Sequence, residues 1–492
     1  MYGFVFLVIF FGLVLSYNVC YYLFFNIHLT VLSFIYVFFL EVVTFGMAYN
    51  MSSAVLILLV PPCHIKRLDR LERYPATALV CCVCDDADAS VFRNLKLQQY
   101  PGLDIYLLDD STTEASKQLV NAAGLPVLRR PDRIGFKAGN LNNWLFRHGW
   151  RYKYFFVADS DCRMDNDIVG TMVAYAEHPD NADIVLFETL LDCWNKEENL
   201  FVGLQTVTHP IAFRQRLGSE NALQTNLSVG HNNLYRTEPV MDAGGFEERF
   251  LSEDHATAIK LLQTKRWRLI TVPVVTYERL PANLNEYMKR QARYTVQTFQ
   301  LMELRLKKLA VTIRLKLMND CLTFAMPLLF VFGNVLLVAV NTLSISYWYH
   351  IHDLPGVADE ILKTTYFGYW MILIVFPFLF QLLLAVKEKV SMVKYFISAF
   401  YGNFLFIAAA WSCLKRSFRY FVTKELEFNA TGTEPALNFN KIVKAGWPIY
   451  IILSITLLSV ILNPLYSLFN LVWIVPCFAA PAVVYYFQRK ST

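Results

Sequence analysis

Tyr154-Phe155-Phe156-Val157-Ala158-Asp159-Ser160-Asp161 places four bulky apolar residues just before two carboxylates spaced i, i+2. An aromatic and β-branched run of this kind has the make-up of a buried strand. Acidic residues at its carboxyl end fall where α/β sheets bind ligands. In extended chain a spacing of two turns both side chains to one side. Such a pair suits a hard cation that keeps positions open for phosphate oxygens, as Mg2+ does. Asp159 and Asp161 are therefore candidate metal ligands.

Outward from this segment, β-rich runs at 78–83, 105–108, 184–187 and 269–274 alternate with helical patterns between 74 and about 281. That alternation predicts an α/β domain around a mainly parallel sheet. Three further clusters lie in it. Asp109-Asp110-Ser111-Thr112 follows the 105–108 run, either as a turn or as ligand-binding carboxylates. Gly135-Phe136-Lys137-Ala138-Gly139-Asn140-Leu141-Asn142 lacks the spacing of a Walker loop. Its glycines permit close backbone approach and Lys137 can meet a pyrophosphate, although a plain helix start would read the same way. Ser252-Glu253-Asp254 precedes a helix expected over 255–263. A carboxylate there serves as a general base or merely as an N-cap.

The flanks belong to a membrane. The chain is 55% hydrophobic with mean hydropathy +0.35, and its charged residues, 17%, gather in the middle. A net charge of +5 over 492 residues gives no reason to invoke nucleic acid. Apolar runs at 3–25 and 29–60, the second interrupted by Glu41, end at Pro61-Pro62 and are followed by Lys66, Arg67, Arg70 and Arg73. Positive charge marks the cytosolic side, so the domain is expected in the cytosol. The start reads as a retained span, with no basic leader or cleavage site. From 282 to 320 the pattern is amphipathic and basic, as in helices lying along a bilayer surface. Spans are expected at 321–343 and 366–386, then a hairpin of 442–462 and 465–487 turning at Asn463-Pro464. The apolar stretch 393–413 has Lys387, Lys389 and Lys394 before it and Lys415, Arg416, Arg419 and Lys424 after it. It is therefore expected to be interfacial or re-entrant. This gives about six spans with both termini cytosolic, and four regions: 1–62, 63–281, 282–320 and 321–492. Cys81, Cys82 and Cys84 sit in a strand-like run without a second pair and read as structural.

Together, in this order, these elements resemble the membrane-embedded family 2 glycosyltransferases: cellulose, hyaluronan, chitin-type and other β-glucan synthases. The resemblance covers about 74–424. Gln98-x-Tyr100-Pro101 is similar to the family's Q-x-Y-P, and Asp109-Asp110 to its uridine-side aspartates. Lys137 sits in its G-x-K-A-G-x-L-N, and Asp159 and Asp161 form its D-x-D, Asp159 also facing the donor. Glu253-Asp254 looks like its T-E-D, with Ser252 for Thr, whose Asp is the catalytic base. Phe421-Val422-Thr423-Lys424 is similar to the gating loop over the nucleotide site, within a loop expected over 414–441. The resemblance implies a GT-A-like fold and inverting transfer from a UDP-sugar, with UDP-glucose as the family-level donor. It also implies Mg2+ or Mn2+ as cofactor, a growing β-linked polysaccharide as acceptor, and extrusion through the spans of an inner or plasma membrane. Asn334, Asn341, Tyr369, Trp370, Gln381, Trp447, Asn463, Asn470 and Trp473 would then line a sugar channel, or else pack the bundle.

Departures from the pattern matter. The family's Q-x-x-R-W reads here as Arg290-Gln291-Ala292-Arg293-Tyr294. Arg293 keeps the cation that meets the diphosphate, while Tyr294 offers the acceptor a smaller platform than Trp. Arg290 also occurs in relatives that add one sugar to a lipid, which stands as the alternative. Cys84-Asp85-Asp86 replaces P-x-x-N-E, so nucleotide contacts there are expected to differ. Gly230-His231-Asn232-Asn233 resembles the G-H-N of some bacterial glucan synthases, placing His231 at the acceptor or in a structural role.

Overall fold

The computed structural model describes residues 2–26, 31–351, 376–424, 435–461, 475 and 477–489. One seven-stranded sheet organises the central domain. Its strands are β1 (Thr77–Val83), β2 (Asp104–Asp109), β3 (Val127–Leu128), β4 (Tyr154–Asp159), β5 (Ile184–Cys193), β6 (Asn233–Arg236) and β7 (Arg268–Glu278), in the order 3-2-1-4-6-5-7. Of the seven, β6 alone runs against its neighbours, β4 and β5. The expected α/β domain on a mainly parallel sheet is the fold observed. All five β-rich runs became strands. The two unforeseen strands, β3 and β6, are too short for a period of two to register.

Helices cover both faces, so β4 is buried from Tyr154 to Ala158. Consecutive residues point to opposite layers. Phe156 enters a cluster with Val91, Phe92 and Met172, while Phe155 enters one with Trp144, Tyr235 and Phe246. Phe155 pairs with Tyr235 across β4 and β6, their rings stacked at 5.0 Å. The sequence order departs from β1 in two directions, to β2 on one side and β4 on the other. At that switch point a crevice opens beyond the carboxyl ends of the strands.

The membrane-side helices are Tyr2–Asn26, Val31–Leu59, Val311–Ile351, Phe376–Lys387, Met392–Thr423, Phe439–Ile461 and Ala480–Phe487. Among the described residues four segments are long and apolar enough to cross a bilayer: Phe38–Leu59, Val311–Leu336, Met392–Thr423 and Phe439–Ser459. Residues 366–375 and the 463–464 turn of the expected spans lie outside the described residues, as do Tyr369, Trp370, Asn463, Asn470 and Trp473. Glu41 accepts a hydrogen bond from Ser16 of the neighbouring helix, the protein-facing placement a buried acid requires.

Two boundaries differ from expectation. Residues 311–320 open the long helix Val311–Ile351 instead of closing the surface segment, because Ile313 and Leu317 pack into the core of the sheet domain. Residues 393–413 lie inside one unbroken helix, Met392–Thr423, so the chain does not re-enter there. Its last turns take up 414–423, carrying Lys415, Arg416 and Arg419, and Lys424 stands at its C-cap. The surface helix Leu284–Met302 is capped by Asn283, whose side chain accepts from the amides of Asn285 and Glu286. It packs along Met392–Thr423, where Ala408 and Ala409 allow close approach to Ala292.

Candidate active site

A cavity of about 680 Å³ lies over the ends of β1 and β4. Asp159, the last residue of β4, and Asp161 in the following turn both line it. Lys137, in the first turn of the helix Phe136–His148, donates to Asp159 Oδ1 at 2.6 Å and to the Gly230 carbonyl at 2.9 Å. Burial disfavours the Lys137 cation, yet Asp159 and Glu253 outweigh it and hold its pKa well above the usual value. Burial likewise opposes the Asp159 charge, but Lys137 and His231 hold that carboxyl below the ordinary range. Asp161 is pushed up to about 7 by burial and by the Asp159 charge.

The glycines around Lys137 serve packing within the chain. A Cβ at Gly139 would lie 2.1 Å from the Ile134 carbonyl oxygen, and one at Gly135, where φ is +72°, 2.8 Å from Glu248. The close approach read from the sequence is therefore between segments of the chain.

Whether Asp159 and Asp161 suit a cation depends on their remaining oxygens. Asp161 Oδ2 accepts from the Arg279 amide at 3.3 Å. Asp159 Oδ2 and Asp161 Oδ1 have no protein donor among the described residues. No group of three His, Cys, Asp or Glu side chains is arranged for a metal among the described residues. A pair of carboxylates completed by substrate phosphates and water is what Mg2+-type sites use, so the residues fit.

Across the cavity, Glu253 and Asp254 open the helix Glu253–Leu262. Ser252 does not cap that helix; its hydroxyl donates to Asp254 Oδ1 at 2.9 Å. The same oxygen accepts from the His255 amide at 2.7 Å and lies 3.2 Å from His255 Nδ1. Asp254 Oδ2 has no such partner among the described residues and sits against Gly230, where a Cβ would approach it to 2.8 Å. Burial opposes the Asp254 charge, but His255 and these hydrogen bonds bring its pKa down to about 2. Glu253 is pushed up to about 7 by burial and the Asp254 charge.

The surface helix contributes Arg290, Arg293 and Tyr294, all lining the cavity. Arg293 lies 5.6 Å from the Tyr294 ring centroid, and that ring is 5.4 Å from Phe324 of the long membrane-side helix. His231 also lines the cavity, with Nε2 3.7 Å from Glu278 Oε2 and a buried Nδ1 that has no hydrogen-bond partner among the described residues.

Two groups of expected residues are placed differently. Asp109 does not line the cavity: it is buried, and its carboxylate accepts from Arg129 Nε at 2.7 Å and the Ser111 amide at 3.0 Å. Asp110 does line it, but Arg130 holds both its oxygens at 2.9 and 2.6 Å, in a pair with side-chain exposures of 6% and 7%. Phe421, Val422, Thr423 and Lys424 do not line the cavity either. They end the helix Met392–Thr423, with Phe421 4.6 Å from Phe299 and Lys424 over Tyr420. They stand one layer back, because Tyr420 packs with Leu251 and Phe136, which do line it.

Sequence reasoning missed Trp194, Glu278 and Arg279, which also line the cavity. Trp194 Nε1 donates to the Asp161 carbonyl at 2.9 Å and Arg163 stacks 3.8 Å from its ring. These residues follow or end β5 and β7, so position at a strand's carboxyl end is the signal that would have found them. Asp85, in the replaced segment, is engaged by the amides and hydroxyls of Thr112 and Thr113.

Residues 154–414, just over half of the chain, match the model of the family described as glycosyl transferase family group 2. A probable glucomannan 4-beta-mannosyltransferase 3 of Arabidopsis thaliana is 28% identical over 204 residues, 39% of this chain and 36% of that protein. The glucans biosynthesis glucosyltransferase H of Xanthomonas campestris pv. campestris (strain B100) is 30% identical over 224 residues, 40% of this chain and 34% of that protein. The aligned part thus spans about a third of the length of these curated relatives. Among solved structures, a mannosyltransferase from Pyrobaculum calidifontis in complex with GDP-Man and Mn2+ superposes with TM-score 0.48 at 16% identity, over 78% of this chain and 99% of that one.

Proposed function

The chain belongs to glycosyl transferase family group 2, and from that premise we propose that it transfers a sugar from a nucleotide donor to an acceptor hydroxyl with inversion. One observation carries the reading: Asp159, Asp161, Asp254 and Arg293 line one cavity beside the membrane-side helices. The donor diphosphate lies between Arg293, Arg290 and the Asp159–Asp161 pair. Asp159 and Asp161 would hold Mg2+ or Mn2+, which would supply positive charge to offset that of the diphosphate. Lys137 keeps Asp159 ionised and oriented. Asp254 Oδ2 accepts the acceptor's proton as the hydroxyl oxygen bonds to the anomeric carbon. The bond from that carbon to the diphosphate breaks on the opposite face, and its electron pair leaves with the nucleoside diphosphate. Arg293 stabilises the charge that develops there. His231 and Tyr294 border the acceptor.

The finer reading is processive synthesis of a β-linked polysaccharide from UDP-glucose at the cytosolic face, with export through the membrane helices. Transfer of one sugar to a lipid is the second reading, favoured by Arg290 and Tyr294 standing together in the cavity. Purified full-length protein in lipid nanodiscs, given a panel of UDP- and GDP-sugars, decides both points. Nucleoside diphosphate release identifies the donor. A polymer with one linkage supports processivity, an organic-extractable product supports single transfer, and no release with any donor rejects the enzymatic reading.

A further inference from the structure

Near Asp254 a chain of buried and half-buried ions runs from the sheet to the membrane-side helix. Arg216 Nη1 lies 2.8 Å from Glu188 Oε2 on β5, and its Nε lies 3.8 Å from Glu220 Oε2. Lys316 Nζ is 3.5 Å from Glu220 Oε1 and 2.6 Å from Asp320 Oδ1. Lys316 and Asp320 are one turn apart on the helix Val311–Ile351. The transfer step described above uses none of these groups, nor His255, which stands between them and Asp254.

We propose that His255 is a positioning residue, which holds Asp254 through Oδ1 and so leaves Oδ2 for the acceptor. The proposal rests on reading Asp254 as the base. A carboxylate rotates about its Cβ–Cγ bond unless its oxygens are made unequal. Here the Ser252 hydroxyl and the His255 amide donate to Oδ1, His255 Nδ1 lies 3.2 Å from it and 3.1 Å from Ser252 Oγ, and Oδ2 sits against Gly230. The charged groups around His255 are Asp254 on its own helix, Asp320 and Lys316 on the long helix, and Glu188 on β5. Burial disfavours the imidazolium, but Asp254 and Asp320 outweigh burial and Lys316 and raise its pKa above the usual value. The cation in turn keeps Asp254 ionised.

The experiment measures nucleoside diphosphate release, donor affinity and the pH profile of kcat for His255→Ala, His255→Asn, Asp320→Asn and Asp254→Asn in the full chain. His255→Ala is expected to lower kcat at least about tenfold with donor affinity unchanged. His255→Asn, whose amide donates from the Nδ1 position, is expected to recover most of that loss. In both, the acid limb of kcat moves to higher pH because the cation that keeps Asp254 ionised is gone. Asp320→Asn is expected to leave the acid limb in place, since His255 stays charged at low pH. Wild-type kcat and pH profile in His255→Ala, with Asp254→Asn inactive, overturn the positioning role alone. So does a joint loss of kcat and donor affinity in His255→Ala that His255→Asn does not restore. Transfer surviving in Asp254→Asn overturns the reading of the base and this proposal with it.

Discussion

Lys137 Nζ lies 2.6 Å from Asp159 Oδ1, so one carboxylate of the candidate metal pair, at the end of β4, already carries a cationic partner from the helix Phe136–His148. The lysine therefore orients Asp159 as well as adding charge near the diphosphate. Lys137→Met is expected to weaken donor binding about ten- to a hundredfold, the scale of a charge-assisted hydrogen bond worth roughly 1.5–3 kcal/mol. Donor titration with Mn2+ present checks this, and an unchanged affinity would confine Lys137 to folding.

Asp161 couples cation binding to pH. Burial and Asp159 raise its pKa to about 7 from 3.8, so ionising it above pH 3.8 costs the fold stability, and the cost grows until pH passes about 7. A divalent cation offsets that cost and displaces the proton. The Tm increment produced by Mn2+ is therefore expected to be larger at pH 8 than at pH 5.5. Asp161→Asn should raise Tm in the presence of a chelator and abolish the increment. Thermal scans at the two pH values test both.

Gly230 faces Asp254 at φ +87°, where L side chains are strained, and an added Cβ would meet Asp254 Oδ2 at 2.8 Å. Gly230→Ala is expected to lower kcat about 10²–10⁴-fold, the contribution of a positioned base, while the fold persists. Steady-state kinetics beside a thermal scan separate displacement of the carboxylate from unfolding.

Asp109 belongs to the fold in this structure. Its carboxylate closes on Arg129 and the Ser111 amide away from the cavity. Asp109→Asn should lower stability by about 1–3 kcal/mol, the cost of leaving a buried partner unsatisfied, and change donor affinity less than about twofold. A drop in affinity at unchanged Tm would return Asp109 to the nucleotide.

The division between legible and hidden residues has a physical basis. Asp159, Asp161 and Asp254 were readable because each stands where a strand ends or a helix begins, next to an apolar run that marks the boundary. Trp194, Glu278 and Arg279 were hidden because they reach the cavity from β5 and β7, whose ends carry no repeated spacing. Asp109 and Asp110 were read from the right place, beyond β2, but their pairing with Arg129 and Arg130 involves residues 20 apart and depends on how the chain returns. The basic residues after 413 signalled a water-facing segment. They said nothing of whether it was a loop, and the last turns of a helix carry the same charges.

The most direct measurement is donor binding and transfer by Asp254→Asn in the full-length protein. On the proposed division of roles, with Asp254 as the base and Asp159, Asp161 and Arg293 at the diphosphate, the variant should bind donor and Mn2+ as the wild type does and release nucleoside diphosphate at least about a hundredfold more slowly. Near-normal release, or a loss of donor binding that matches the loss of release, would contradict the account.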